Sequence, residues 1–221
     1  MSFDLLAPHY RWMEWLSAGG TLQRCRTAFL EAISPPAKVL IYGEGNGRFL
    51  VELCRRFPQA QVTVVDASAA MLALARRRLQ DARMVAVQVE FIHADALTWQ
   101  PPAGEYDLLV TCFFLDCFRE DELRRLVPVI AAAAQPRAQW LVADFQMAPA
   151  GLARLRSRVI LAVLYAFFRR ATGLSAHELV APAPLLGAEG FARKQRVEHD
   201  HGLLYSDLWN RVDNASHVQG A

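Results

Sequence analysis

Val39-Leu40-Ile41-Tyr42-Gly43-Glu44-Gly45-Asn46-Gly47-Arg48-Phe49 decides the fold. An apolar run feeds three glycines at alternate positions, and a helix-like stretch over residues 48–57 follows, stopped by Pro58. Glycine takes backbone angles that other residues avoid and lets a ligand approach the main chain. A strand ending in such a loop, beside a helix N-terminus, is where α/β proteins bind nucleotide-like ligands. The spacing is G-x-G-x-G. It departs from the dinucleotide pattern G-x-G-x-x-G, because counting from Gly45 the last glycine position holds Leu50.

Outward from this loop, strands and helices alternate. Strands are read at residues 38–42, 61–65, 87–93, 106–111 and 139–144. The fourth of them is a near-continuous apolar run, as buried parallel strands show. Helices are read at 48–57, at 69–81 behind the capping Ser68, and at 120–134. Alternation across about 100 residues predicts a doubly wound parallel sheet. Upstream, residues 2–33 read as helical and are closed by Pro35-Pro36. Downstream, 151–170 is a long amphipathic-to-apolar helix, and 174–186 is helical in parts, interrupted by Pro182 and Pro184. Residues 191–199 and 203–212 read as two strands joined at Asp200-His201-Gly202, a hairpin signal. The tail, 214–221, reads as frayed. There is no internal repeat and no linker.

The 221 residues suit one domain, and 53% hydrophobic with 21% charged residues describe a globular chain. A net charge of +2 gives no strong basic field, so no nucleic-acid partner is expected. Arg76-Arg77-Arg78 and Arg154, Arg156, Arg158 read as solvated helix faces. Cys25, Cys54, Cys112 and Cys117 form no C-x-x-C pair and no zinc spacing, and Met1-Ser2-Phe3-Asp4 does not open a secretion signal. The reading is a cytoplasmic protein with reduced thiols. The longest apolar run, residues 159–168, is shorter than the roughly 20 residues that span a bilayer. It reads as a buried helix or one covering a greasy site. Its exposed face is a candidate homodimer contact.

Ligands gather at the carboxyl edge of a parallel sheet. Asp66 ends the second strand about twenty residues past the glycines, where a carboxylate accepts both hydrogen bonds of a ribose diol. The competing reading is a cap for the next helix. Asp95, after the third strand, suits an adenine exocyclic amine or caps the turn 96–99, and His93 reads as a strand-end residue beside it. Thr111-Cys112-Phe113-Phe114-Leu115-Asp116 follows the fourth strand.

These residues together resemble the class I S-adenosylmethionine-dependent methyltransferases. The carriers are Gly43-Glu44-Gly45-Asn46-Gly47, Val64-Val65-Asp66-Ala67-Ser68 with Met71-Leu72, Ala94-Asp95-Ala96, and Tyr106-Asp107-Leu108-Leu109-Val110. Phe3-Asp4-Leu5-Leu6-Ala7-Pro8-His9-Tyr10 looks like the segment preceding the core in the ubiquinone/menaquinone C-methyltransferase type, where it helps close the site. The resemblance implies an α/β, Rossmann-like, doubly wound seven-stranded sheet, mostly parallel, with a C-terminal antiparallel hairpin strand and an N-terminal helical cap. It implies one methyltransferase domain over 1–221: a cap at 1–35, a cofactor-binding core at 36–145, and substrate-side helices with the closing hairpin at 146–221. It implies S-adenosyl-L-methionine as cofactor. The residues so implied are Gly43, Gly45 and Gly47 at the methionine and ribose side, Asp66 on the ribose hydroxyls, Asp95 with Ala96 at the adenine, and Thr111 and Cys112 near the sulfonium. Tyr42, Glu44, Ala67 and Met71 complete the cofactor-binding set. Where the family carries an acid two residues before the first glycine, this chain has Ile41, and Glu44 is the candidate to compensate.

Methyl transfer is an in-line displacement, so the protein mainly aligns the reactants and excludes water. A base is needed only where the nucleophile must lose a proton. The catalytic candidates are Asp116, His9, Tyr10 and His201, with His199 beside the last. Asp116 competes with a helix-cap role, and the histidines with an exposed polar turn. Phe113, Phe114, Phe118 and residues 159–168 suit an apolar pocket or plain core packing. An apolar pocket favours a small hydrophobic or aromatic acceptor. Asp144-Phe145 stands where metal-dependent catechol methylation needs an Asp-Asn pair, so no metal is assigned. A non-catalytic or regulatory cofactor-binding domain, and a methyltransferase acting on a macromolecule, remain as alternative readings.

Overall fold

Apolar runs rich in β-branched residues make the centre of the sheet, because they can be covered on both faces. The computed structural model describes residues 20–84, 87–172 and 179–212. Its strands are β1 (Lys38–Tyr42), β2 (Gln61–Asp66), β3 (Gln88–His93), β4 (Tyr106–Cys112), β5 (Ala134–Phe145), β6 (Phe191–His199) and β7 (Leu204–Arg211). Its α-helices are α1 (Gly20–Thr27), α2 (Arg48–Arg56), α3 (Ala69–Asp81), α4 (Glu120–Ala132), α5 (Gly151–Thr172) and α6 (Ala183–Ala188). The seven strands lie in the order β3-β2-β1-β4-β5-β7-β6. The first five pair in parallel, and β7 is antiparallel to both β5 and β6. β6 therefore runs parallel to the first five, and its closing turn, Asp200–Gly202, falls at their carboxyl edge.

The strand period of two sorts side chains onto two faces. Val39 and Ile41 pack on one side with Val62, Val64, Leu108 and Val110, under α2 and α3. Leu40, Tyr42 and Leu109 pack on the other, under α4 and α6. Ile41, where the family has an acid, is 1% exposed within the first of these clusters. The outer strand β6 is exposed along most of its length and carries Arg193, Lys194, Arg196 and Glu198, which discourages edge-to-edge pairing. Arg196 holds the buried Asp207 of β7 with two hydrogen bonds of 2.6 and 2.7 Å.

β5 and α5 differ from expectation for physical reasons. β5 begins at Ala134, not Gln139, because Ala134 pairs with Tyr106 before a register shift. Regular pairing resumes at Gln139 opposite Leu108, and Arg137 sits between at φ 64°. The second difference concerns α5, expected to be buried or to cover a site. Of its described side chains only Ser157, Leu161 and Tyr165 are buried, while Leu152, Leu155, Val159 and Val163 face solvent. Apolar content alone does not say which side of a helix meets the core.

Candidate active site

The three glycines of the loop after β1 all take left-handed angles, φ 64°, 68° and 83° at Gly43, Gly45 and Gly47. Two of them are also constrained by the protein itself. A Cβ on Gly43 would meet the Phe114 ring at 2.5 Å, and one on Gly47 would meet the Ala75 backbone at 2.7 Å. The close approach at Gly47 lets α3 pack against the start of α2. The loop is tied to β2 as well: Gly45 N donates to Asp66 Oδ2 at 3.3 Å, and Ser68 N to Asp66 Oδ1 at 2.9 Å. Ser68 Oγ in turn accepts from Met71 N at 3.2 Å, so Ser68, not Asp66, caps α3. That frees the acid from the cap role. Both Asp66 oxygens thus face main-chain amides at the loop and at the start of α3.

Glu44 turns inward. It is buried, and its Oε1 accepts from Leu50 N at 2.9 Å, which satisfies an orphan amide at the start of α2 where Gly47 has no side chain to do so. Burial pushes its carboxyl up to about 7, opposed by the Leu50 amide and by the buried Arg26 guanidinium. Its carboxylate is therefore committed first to a helix end. The sign of the pH effect follows. The folded value lies above the ordinary 4.5, so Glu44's contribution is complete below pH 4.5 and is lost as pH rises through about 7. Glu44→Gln keeps an acceptor for Leu50 and removes the titration. The variant is expected to gain about 3 kcal/mol on the native chain between pH 4.5 and pH 8. Denaturant melts at both ends of that range check this, and equal gaps at the two ends would refute it.

Tyr42 lies under the loop, its ring 5.5 Å from Phe114 and 5.9 Å from Trp99. Asp95 is exposed, and its Oδ1 accepts from Leu97 N at 2.9 Å, so it caps the turn that carries the buried Ala96. His93 Nε2 lies 3.1 Å from the carbonyl of Ala67. Met71 is buried in the first turn of α3. Thr111 is fully buried, and its hydroxyl accepts from Trp140 Nε1 at 3.0 Å, so its side chain is turned to β5. Burial raises the Cys112 thiol well above its ordinary range and pushes those of Cys25 and Cys54 up to about 12, so these three stay protonated.

The loop after β4 is strained. Phe113 holds φ 53° while its amide donates to Ala143 O at 2.7 Å, and such outliers cluster where a site needs them. The residue at positive φ sends Phe113 and Phe114 different ways. Phe113 meets Phe145 at 5.3 Å and lies under the Arg26 guanidinium at 5.0 Å, whereas Phe114 joins Tyr42 and Phe118. Phe114 and Phe118 thus belong to core packing.

Beyond this loop a carboxyl pair appears. Asp144 ends β5, only 2% exposed, and its Oδ2 accepts from Asp116 N at 3.2 Å. Its Oδ1 is buried with no hydrogen-bond partner among the described residues. Burial first, and then the neighbouring Asp116 charge, hold the Asp144 carboxyl well above the usual carboxylate range. Burial raises Asp116 as well. Two neighbouring carboxyls disfavour each other's charge, so both proton affinities rise together. Asp116 does not cap α4. Glu122 does that by accepting from Arg119 N at 2.9 Å. Tyr165 of α5 crosses above the pair and donates its hydroxyl to Asp116 O at 3.1 Å.

Of the remaining candidates, His201 is exposed in the β6–β7 turn at φ 55°. His199 lies 3.4 Å from Ser206 Oγ, and burial followed by Arg24 lowers its pKa. His9 and Tyr10 lie outside the described residues. Asp144 and Tyr165 carry no role in the sequence reading. The signal for Asp144 was a strand-end acid, the same signal that singles out Asp66. Among the described residues no group of three His, Cys, Asp or Glu side chains is placed to hold a metal ion.

Comparison with known proteins matches residues 39–137 to a family described as "Methyltransferase domain". A demethylmenaquinone methyltransferase of Thermus thermophilus is 32% identical over 161 residues, covering 71% of this chain and 70% of that protein. Among solved structures, the mitomycin 7-O-methyltransferase MmcR superposes with a TM-score of 0.68 at 20% identity, over 96% of this chain. This chain spans 61% of the length of that one. Magnesium protoporphyrin IX methyltransferase from Synechocystis PCC 6803, solved with bound S-adenosylhomocysteine, gives 0.59 at 21% identity, over 90% of this chain and 79% of that one. The chain belongs to the class I S-adenosylmethionine-dependent methyltransferases. The residues present suit that cofactor: a left-handed glycine loop bonded to a strand-end carboxylate, at the carboxyl edge of the sheet.

Proposed function

We propose that this chain methylates a small acceptor with an apolar body and an acidic O–H, N–H or S–H, and that Asp116 takes the acceptor's proton. The observation that carries this reading is the Asp116–Asp144 pair beyond β4 and near the end of β5, the half-buried Asp116 bonded through its amide to the buried Asp144 carboxyl, with both proton affinities raised by burial. S-adenosylmethionine, when bound, supplies an electrophilic methyl group. Gly43, Gly45 and Gly47 would line its methionine side, Asp66 would take the ribose hydroxyls, and Asp95 with Ala96 would meet the adenine. Asp116, whose proton affinity burial raises, is suited to accept a proton from a phenol- or enol-like group. Asp144 holds Asp116 in place by accepting its amide, and its nearness raises the proton affinity of the pair. Phe113, Phe145 and Tyr165 border the pair and help to exclude water and seat an apolar body. The Thermus relative is named for demethylmenaquinone, which agrees with such an acceptor.

A panel of quinols, phenols, thiols and fatty acids, assayed with labelled S-adenosylmethionine, tests this reading. Turnover is expected on ring compounds with an acidic hydroxyl. Turnover on polar acceptors alone, or on a protein or RNA alone, would overturn it.

A further inference from the structure

α5 has two faces with different tasks. Its inner side is the buried row Ser157, Leu161 and Tyr165, four residues apart, which roofs the carboxyl pair through Tyr165. Its outer side is an open apolar stripe. Leu152 is 86% exposed, Leu155 60%, Val159 57% and Val163 65%, and their spacing of three and four residues puts them on one line along the helix. Met147, 40% exposed, stands just ahead of it. Scattered exposed apolar residues need no explanation, but an aligned row of this kind marks an interaction site.

Charge says what covers the row. Arg156 and Arg158 are exposed in the same turns, one on each flank of the row, and no acid occurs in the sequence between Gly151 and Thr172. Arg156 also reaches Asp200 at 3.0 Å, which ties the helix to the β6–β7 turn. A second copy of the chain, related by a two-fold axis, would set this arginine-rich face against itself, and like charges facing one another disfavour that contact. An apolar row edged by cations and free of acids suits an anionic lipid surface, where acyl chains take the stripe and phosphates take the arginines. No helix among the described residues is long and apolar enough to cross a membrane, so the contact is peripheral.

We infer that the outer face of α5 docks on an anionic bilayer, with Leu152, Leu155, Val159 and Val163 inserted at the headgroup boundary. This goes beyond the acceptor reading and is tested apart from it. The experiment is co-sedimentation of the full chain with vesicles of phosphatidylcholine alone, and of phosphatidylcholine mixed with phosphatidylglycerol. The native chain is compared with Leu155→Glu/Val159→Glu, whose two sites are exposed and leave the core intact. The native chain is expected to pellet with the mixed vesicles and to stay in solution with the neutral ones. The double variant is expected to lose at least about tenfold in partitioning. S-adenosylhomocysteine binding, measured by calorimetry on both chains, should be the same, which separates failure of this surface from failure of the site. Three results would overturn the inference. They are a native chain that ignores both vesicles, a double variant that pellets as well as the native chain, and light scattering that finds a dimer which the double substitution dissolves.

Discussion

Asp116→Asn is expected to lower kcat on a hydroxyl acceptor about 10²- to 10⁴-fold, the range over which a positioned general base acts. The acidic limb of the kcat/KM profile should vanish with it, because that limb reports Asp116 losing its own proton. Asp144→Asn should behave differently. Burial and the neighbouring Asp116 raise the Asp144 carboxyl, which favours its neutral form, so a neutral amide of the same shape replaces it with far less change. The contrast identifies the base. If Asp144→Asn proved the more damaging of the two, the roles within the pair would be reversed. If neither substitution touched kcat, the pair would be structural. Both variants should still bind S-adenosylhomocysteine, which keeps a kinetic loss distinct from a lost cofactor site.

Gly47→Val carries the second large effect, and here the loss is in stability. The added Cβ would lie 2.7 Å from the Ala75 Cα, and the residue would have to hold φ 83°, which a β-branched side chain resists. Left-handed strain of about 1–2 kcal/mol adds to an overpacking cost of about 1–3 kcal/mol. For a chain of this length about 4 kcal/mol corresponds to a fall in Tm of roughly 10 °C. Gly45→Val carries the same left-handed strain at φ 68° and should in addition weaken binding, by filling the loop that meets the ligand. A scan of thermal melting beside ligand titration separates the two glycines. A Gly47→Val chain that melts with the native one would show that α3 gives way at Ala75.

The parts of the molecule that were legible in the sequence are those fixed by neighbours in the chain. The glycine loop could be read because its φ angles are a local demand, and Asp66 because a strand end announces itself. The order of strands and helices followed from period-two and helical patterning, and the β6–β7 hairpin from Asp200-His201-Gly202, all three of which take left-handed angles. What could not be read depends on contacts across the sheet. Asp144 gains its meaning only when β4 and β5 lie side by side, which brings Asp116 to it from 28 residues away. Glu44 looked like a ligand residue in a ligand loop, yet the start of α2 claims its carboxylate. Thr111 ends a strand at the ligand edge, yet its side chain faces Trp140. α5 is apolar on both sides, and the pattern of its residues does not distinguish the roof of a site from an open surface.

The central claim is that the loop from Gly43 to Gly47 and the carboxylate of Asp66 together form the cofactor site, and a calorimetric titration of S-adenosylhomocysteine tests it most directly. The native chain is expected to bind one equivalent. Asp66→Ala is expected to bind at least about tenfold more weakly, since it removes charge-assisted hydrogen bonds worth about 1.5–3 kcal/mol each. No binding by the folded native chain at millimolar ligand, or equal affinity in the two chains, would contradict the account.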